Sequence, residues 1–138
     1  MTSDYSWSIP VARVRIARVT HDLAAITRFY KDGLGLSIIA SFEDHAGYWG
    51  IIFGLPGTEY QLEFTWEKGA PRPPKPHHDD LLVLYMQEKE AIGKLVVRLG
   101  VMGYHPVAPT NPYWENKSVT IPDPDGWRVV LVDTTAMG

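Results

Sequence analysis

Tyr60-Gln61-Leu62-Glu63-Phe64-Thr65-Trp66 alternates without a break, with Tyr60, Leu62, Phe64 and Trp66 on one side and Gln61, Glu63 and Thr65 on the other. A period of two is the pattern of a strand with one apolar and one polar face. Working upstream, the turn Pro56-Gly57 closes a strand over Tyr48 to Leu55, and Glu43 to Gly47 separates that strand from one over Leu36 to Phe42. Before these, Leu23, Ile26, Phe29 and Tyr30 recur at helical spacing. Thr20-His21-Asp22 supplies N-cap candidates for that helix, and Gly33 and Gly35 end it. Gly33-Leu34-Gly35 follows a helix instead of joining a strand to one, so it is not a nucleotide-binding loop. Val11 to Val19, rich in β-branched residues, reads as the opening strand. The order is therefore strand, helix, strand, strand, strand.

Working downstream, residues 67–78 contain Pro71, Pro73, Pro74 and Pro76. Prolines at this density exclude a helix or a central strand, so the segment reads as an exposed, semi-rigid connector. The earlier order then repeats. Leu81 to Met86 reads as a strand, and Glu88 to Leu99 as a helix with Ala91, Ile92, Leu95, Val96 and Leu99 on its apolar face. Tyr104 to Val107 reads as a short strand, followed by a loop rich in Pro and Asn. Ser118 to Ile121 is the next strand, Asp123-Pro124-Asp125-Gly126 a hairpin turn, and Trp127 to Val132 the last strand. The expectation is an α+β fold of two βαβββ modules, the first over about 11–66 and the second over about 79–134, within a single domain spanning 1–138. Neither module buries its sheet alone, and pairing them makes one core.

The bulk composition narrows the function classes. A hydrophobic fraction of 45% and a charged fraction of 21% belong to an ordinary globular chain of 138 residues. A net charge of -3 gives no basic footprint for nucleic acid. Cysteine is absent, which removes disulfides, thiolate chemistry and Cys-zinc sites. No stretch has the length of apolar sequence that a membrane helix needs, and no leader-like segment opens the chain, so the expected location is cytoplasmic.

Asp22-Leu23 followed by Phe29-Tyr30, then Leu34-Gly35-Leu36, Leu62-Glu63-Phe64, Leu99 ahead of Gly103, and Asp123-Pro124-Asp125-Gly126-Trp127 stand in an order and spacing that cover about Val11 to Val132. In this the chain resembles the vicinal oxygen chelate superfamily of glyoxalase I, bleomycin- and fosfomycin-resistance proteins and extradiol dioxygenases. The resemblance implies that the two modules pair to form a sheet-walled cup. In metal-dependent members, four side chains converge inside that cup, typically two His and two Glu, which suit borderline divalent cations. Carried over one at a time, the first ligand position falls on Arg15, or on Val14 in a shifted register. The fourth-strand position falls on Glu63, the fifth-strand position near Asp80, and the last on Val130. Arginine stays protonated and valine has no donor atom, so neither binds a cation. A lone carboxylate in the cup needs a partner, and Arg15 is the expected one for Glu63.

The site expected from this is a metal-free cup. Arg15, with Arg13 as a second candidate, supplies a cationic anchor, and Gln61, Glu63, Trp49, Tyr113 and Trp114 are the other ligand-binding candidates. Tyr113 and Trp114 sit on a loop, where large aromatics invite a role in capping a ligand or meeting a partner. His77-His78-Asp79-Asp80 is dense in potential ligands, but adjacent residues of an extended chain point opposite ways. A non-standard divalent-metal site would use Glu63, Asp80 and His78. The expected function is binding of a small amphipathic molecule without a cofactor. The alternative is a metal-dependent lyase, isomerase or dioxygenase, and a third reading is a cup filled by side chains in a protein whose role is association. The resemblance also implies a homodimer.

Overall fold

In the computed structural model, which describes residues 8–136, the strand alternation and the helical spacing produce two sheets with helices packed against them. β1 (Val14–Val19), β2 (Ser37–His45), β3 (Tyr48–Gly54) and β4 (Tyr60–Glu67) form a sheet in the order β1-β4-β3-β2. β5 (Leu81–Met86), β6 (Ser118–Pro122) and β7 (Arg128–Asp133) form the second, in the order β5-β7-β6. β1 runs parallel to β4 and β5 parallel to β7, while the hairpins are antiparallel. Each parallel pair is joined by a crossover that includes a helix, as parallel neighbours require. The architecture is α+β, with a duplicated βαβββ plan.

Two expected strands come out shorter. β1 begins at Val14 because its partner begins at Tyr60, which leaves residues 11–13 no strand to pair with. Tyr104 to Val107 reduces to one bridge, Val107 to Thr120. Pro106 and Pro109 have no N–H to give a ladder there, and only the Val107 N–H reaches Thr120 O, at 2.9 Å. The connector after β4 has no ladder beyond its start, where the Lys68 N–H donates to Gly47 O at 2.9 Å and the Ala70 N–H to Glu67 O at 3.2 Å.

α1 (Leu23–Thr27) begins at Asp22, whose Oδ1 accepts from the Ala25 N–H at 3.0 Å. Capping of this kind satisfies one of the donors a helix start leaves open. The helix then widens into a π-helical segment, Arg28–Gly33, where the Leu34 N–H reaches back five residues to Phe29 O. The wider turn carries Phe29, Tyr30 and Gly33 inward together. α2 (Lys89–Val101) packs on this segment so closely that a Cβ at Gly33 would stand 2.6 Å from Leu99 Cδ2. The Arg98 Nε–H donates to Gly33 O at 2.8 Å alongside.

One core joins both sheets. Phe29, Tyr30, Phe53, Leu62 and Phe64 of the first half pack with Leu99, Ile121, Trp127, Val129 and Leu131 of the second. The Phe64 and Trp127 rings meet edge-on at 6.4 Å between centroids. Each fully buried side chain of this size contributes about 1.5–3 kcal/mol of hydrophobic stabilisation.

Candidate functional site

Leu62 and Phe64 belong to the core, so Gln61, Glu63 and Thr65 point from β4 to the opposite face of the first sheet. The parallel register sets Arg15 beside Gln61 and Ala17 beside Glu63. The Arg15 Nε–H donates to Gln61 Oε1 at 3.0 Å. This corrects the expected Arg15–Glu63 pair. The direct neighbour of Arg15 is Gln61, its nearer acceptor, and among the described residues Glu63 forms no ion pair. Glu63 stands half-buried between the small Ala17 and the buried Ile52.

On β7, Val129 and Leu131 face the core, so Arg128, Val130 and Val132 take the other face, with Val83 and Tyr85 of β5 beside Val130 and Val132. Asp80 precedes the ladder, which starts at Leu81 opposite Arg128, and both Asp80 and His78 are exposed. Among the described residues no three His, Asp or Glu side chains converge as a metal would need, so the set Glu63, Asp80 and His78 is not assembled. Of the four carried-over positions, Arg15 and Val130 offer no donor to a cation, Glu63 offers one carboxylate, and Asp80 stands exposed ahead of the ladder. This donor set does not fit a divalent cation.

Trp49 does not share that face. It pairs with Trp66 across β3 and β4, on the side of Ile51 and Phe53, with ring centroids 5.2 Å apart. Both indoles therefore stand on the helix-bearing face, which corrects Trp49 as a residue lining the cup. Tyr113 and Trp114 form a short 3-10 turn capped by Asn111, whose Oδ1 accepts from the Tyr113 N–H at 3.0 Å. The Lys117 ammonium lies 3.8 Å from the Tyr113 ring centroid. The start of this loop is tied to the sheet by Arg128, which donates to Ala108 O at 3.3 Å and Thr110 Oγ1 at 3.4 Å.

A polar cluster that sequence reasoning passed over joins the two halves. The Tyr30 hydroxyl, with no exposed surface, donates to Asp123 Oδ2 at 2.7 Å. Asp123 Oδ1 accepts from the N–H groups of Asp125 and Trp127, which folds the Asp-Pro-Asp-Gly turn; Gly126 takes the left-handed φ of 90° that the turn requires. Burial raises the Asp123 pKa above its ordinary range, outweighing the Tyr30 hydroxyl and the two N–H groups that lower it. Burial, then the Asp123 charge, pushes the Tyr30 phenol well above its usual value. His21 Nδ1 lies 3.0 Å from Asp125 Oδ1, and the Arg18 guanidinium sits 4.6 Å from the Trp127 ring centroid. The available signal was Tyr30 itself: a tyrosine on an apolar helix face must bring its hydroxyl to an acceptor.

Comparison with known proteins places this geometry in a family. Residues 14–65 match the model of the YycE-like N-terminal domain, and residues 79–133 that of the YycE-like C-terminal domain. The chain is 46% identical to YycE of Bacillus subtilis (strain 168) over 127 residues, which cover 92% of this chain and 91% of that protein. The chain belongs to the YycE-like family. The crystal structure of B. subtilis YycE superposes on this YycE-like chain with a TM-score of 0.83 at 48% identity, covering 88% of this chain and 89% of that one. The trypanothione-dependent glyoxalase I of Leishmania major matches at a TM-score of 0.69 and 16% identity, over 89% of this chain and 86% of that one. TnmS3, an antibiotic binding protein from Streptomyces sp. CB03234, matches at 0.66 and 20% identity, over 91% and 98%. The last two likenesses show that this YycE-like chain shares its fold with glyoxalase I and with TnmS3. Among the described residues no helix is long and apolar enough to cross a membrane.

Proposed function

We propose that this YycE-like protein binds a small amphipathic molecule in the cup, without a metal, and does so as a homodimer. The observation that carries the reading is the exposed Arg15 guanidinium, held by Gln61 on the face where the metal-dependent relatives gather their ligands. A fixed positive charge there repels a dication, by several kcal/mol at an effective dielectric constant of about 20. The same charge attracts a carboxylate, sulfonate or phosphate, which a guanidinium can grip at two points. Tyr113 and Trp114 are loop aromatics suited to stacking. TnmS3 is an antibiotic binding protein on the same fold, which makes sequestration a use the architecture accommodates. The exposed apolar side chains of β1, Val14, Ile16 and Val19, favour a second copy as the partner.

Native mass spectrometry of the protein, dialysed against zinc, nickel, manganese and iron, tests the absence of a metal and the homodimer. The expected species has twice the 15.5 kDa mass of one chain and no stoichiometric ion. Titration with anilinonaphthalene sulfonate, an anionic amphipathic probe, is expected to saturate, and Arg15→Ala to weaken it about tenfold, the loss of one charge-assisted contact. One tightly held ion per chain that disappears in Glu63→Gln would overturn the reading and favour a metal-dependent lyase, isomerase or dioxygenase.

A further inference from the structure

The helix-bearing face of the first sheet is not fully covered. α1 begins only at Leu23, and the half-buried Trp49–Trp66 pair lies beside its start. Two recesses open there. One, of about 270 Å³, is lined by His21, Asp22, Leu23, Trp49 and Trp66. The other, of about 220 Å³, lies between Thr20, His21 and Trp66 on one side and Pro71 and Pro73 of the connector on the other. His21 and Trp66 line both. A cavity of about 150 Å³ is enough for a benzene ring, so each recess admits a ring with substituents.

His21 is the polar centre of this surface. Its Nδ1 lies 3.0 Å from Asp125 Oδ1. That oxygen is buried and takes part in no hydrogen bond among the described residues, and His21 Nδ1 is the nitrogen that approaches it. In the neutral imidazole, a proton placed on Nδ1 toward this carboxylate leaves Nε2 as an acceptor. The Nε2 atom enters no hydrogen bond among the described residues, and the imidazole is the group both recesses share. Around it the walls are flat and apolar: two indoles and two prolines. The nearby charges include Asp22 and Glu67 against Arg72, which gives an anion no net attraction.

We propose that these recesses are a second binding site, separate from the cup, for a neutral planar aromatic molecule bearing a hydroxyl. The ring lies against Trp49 and Trp66, and the hydroxyl donates to His21 Nε2. Indole faces favour aromatic partners in offset or edge-on contact, and one buried hydrogen bond to a single acceptor supplies orientation. The recesses are lined by the first half and the connector, and the Asp125 carboxylate that the His21 imidazole approaches comes from the second half.

The test is NMR titration of the isotope-labelled full chain with 2-naphthol, and in parallel with 2-methoxynaphthalene, which keeps the rings and loses the donor. The expected result is saturable shifts at the Trp49 and Trp66 indole N–H and at the His21 imidazole, with the methoxy compound about three- to tenfold weaker, as the loss of one hydrogen bond implies. His21→Asn keeps a donor for Asp125 but removes Nε2, and is expected to bring 2-naphthol down to the affinity of the methoxy compound. Equal binding of the two compounds, unchanged affinity in His21→Asn, or shifts confined to Gln61 and Glu63 of the cup would each overturn the proposal.

Discussion

A phenol ring with no exposed surface takes its hydroxyl into the core, and that hydroxyl must find an acceptor there. Tyr30 finds Asp123, whose other oxygen is held by two backbone N–H groups, so both side chains are satisfied by geometry and penalised by burial. Tyr30→Phe keeps the ring and removes the donor to a buried carboxylate. It is expected to cost about 1–3 kcal/mol, read from the urea unfolding midpoint at neutral pH. The pH dependence has a definite sign. The folded chain holds the Tyr30 proton above its ordinary value of 10.0, where the unfolded chain releases it. Stability from this group is therefore complete below about pH 10 and declines as pH rises toward the folded value. The gap between the parent and Tyr30→Phe should narrow from about pH 9.5 to about pH 11, and parallel curves would show that the burial of this phenol does not govern its titration. Asp123 carries the same sign in acid: with its folded pKa above 3.8, its contribution is greatest below that value and falls as pH rises.

The π-helical segment and the loop before β6 are the elements that depart most from the regular plan, and they should respond to substitution in opposite ways. Gly33 lies where α2 crosses, and an added Cβ meets the Leu99 side chain, which is fully buried and has no room to yield. Gly33→Ala is expected to cost about 1–3 kcal/mol by overpacking, despite the better helix propensity of alanine; a more stable Gly33→Ala protein in urea unfolding would mean the crossing can open. Trp114, half-buried on its 3-10 turn, is outside the core, and Trp114→Phe should change stability by no more than about 0.5 kcal/mol. A large loss would make Trp114 a packing residue and remove it from the candidate site. Strands and helices were legible in the sequence because their periods differ, and all seven strands lie within a few residues of where alternation and turns put them. The segment at 104–107 was not, since pairing there depends on which N–H groups face β6, and Pro106 has none. Nor was the orientation of Trp49. An indole between two apolar neighbours looks alike from either face, and only the register with Trp66 assigns it. Arg15 and Gln61 were legible as sharing a face, but their hydrogen bond depends on a parallel register that no local pattern fixes.

At the scale of the whole molecule, the duplication raises the question of whether the halves behave as two units or one. Each half has its own sheet, and the connector between them is a proline-rich segment with little regular pairing. Those features alone would permit separate unfolding. The contacts that cross from one half to the other argue against it. Tyr30 bonds Asp123, the Arg28 guanidinium reaches Met102 O at 3.1 Å and the Tyr104 hydroxyl at 2.8 Å, and Arg98 holds Gly33 O. Phe29 meets Tyr104 edge-on at 5.0 Å between centroids, and the shared core contains buried residues from both sheets. Separating the halves would expose those side chains and strand the Tyr30 hydroxyl and Asp123, a cost comparable to the entire stability of a domain this size. The expected behaviour is therefore a single transition. Far-ultraviolet circular dichroism, which reports both halves, and the fluorescence of the Trp49–Trp66 pair in a Trp7→Phe, Trp114→Phe, Trp127→Phe background, which reports mainly the first, should give the same urea midpoint. Tyr30→Phe should move both by the same amount, because it acts on the joint and not on one half. Two midpoints, or a Tyr30→Phe effect confined to one probe, would show that the halves fold independently and that the joint adds orientation without cooperativity.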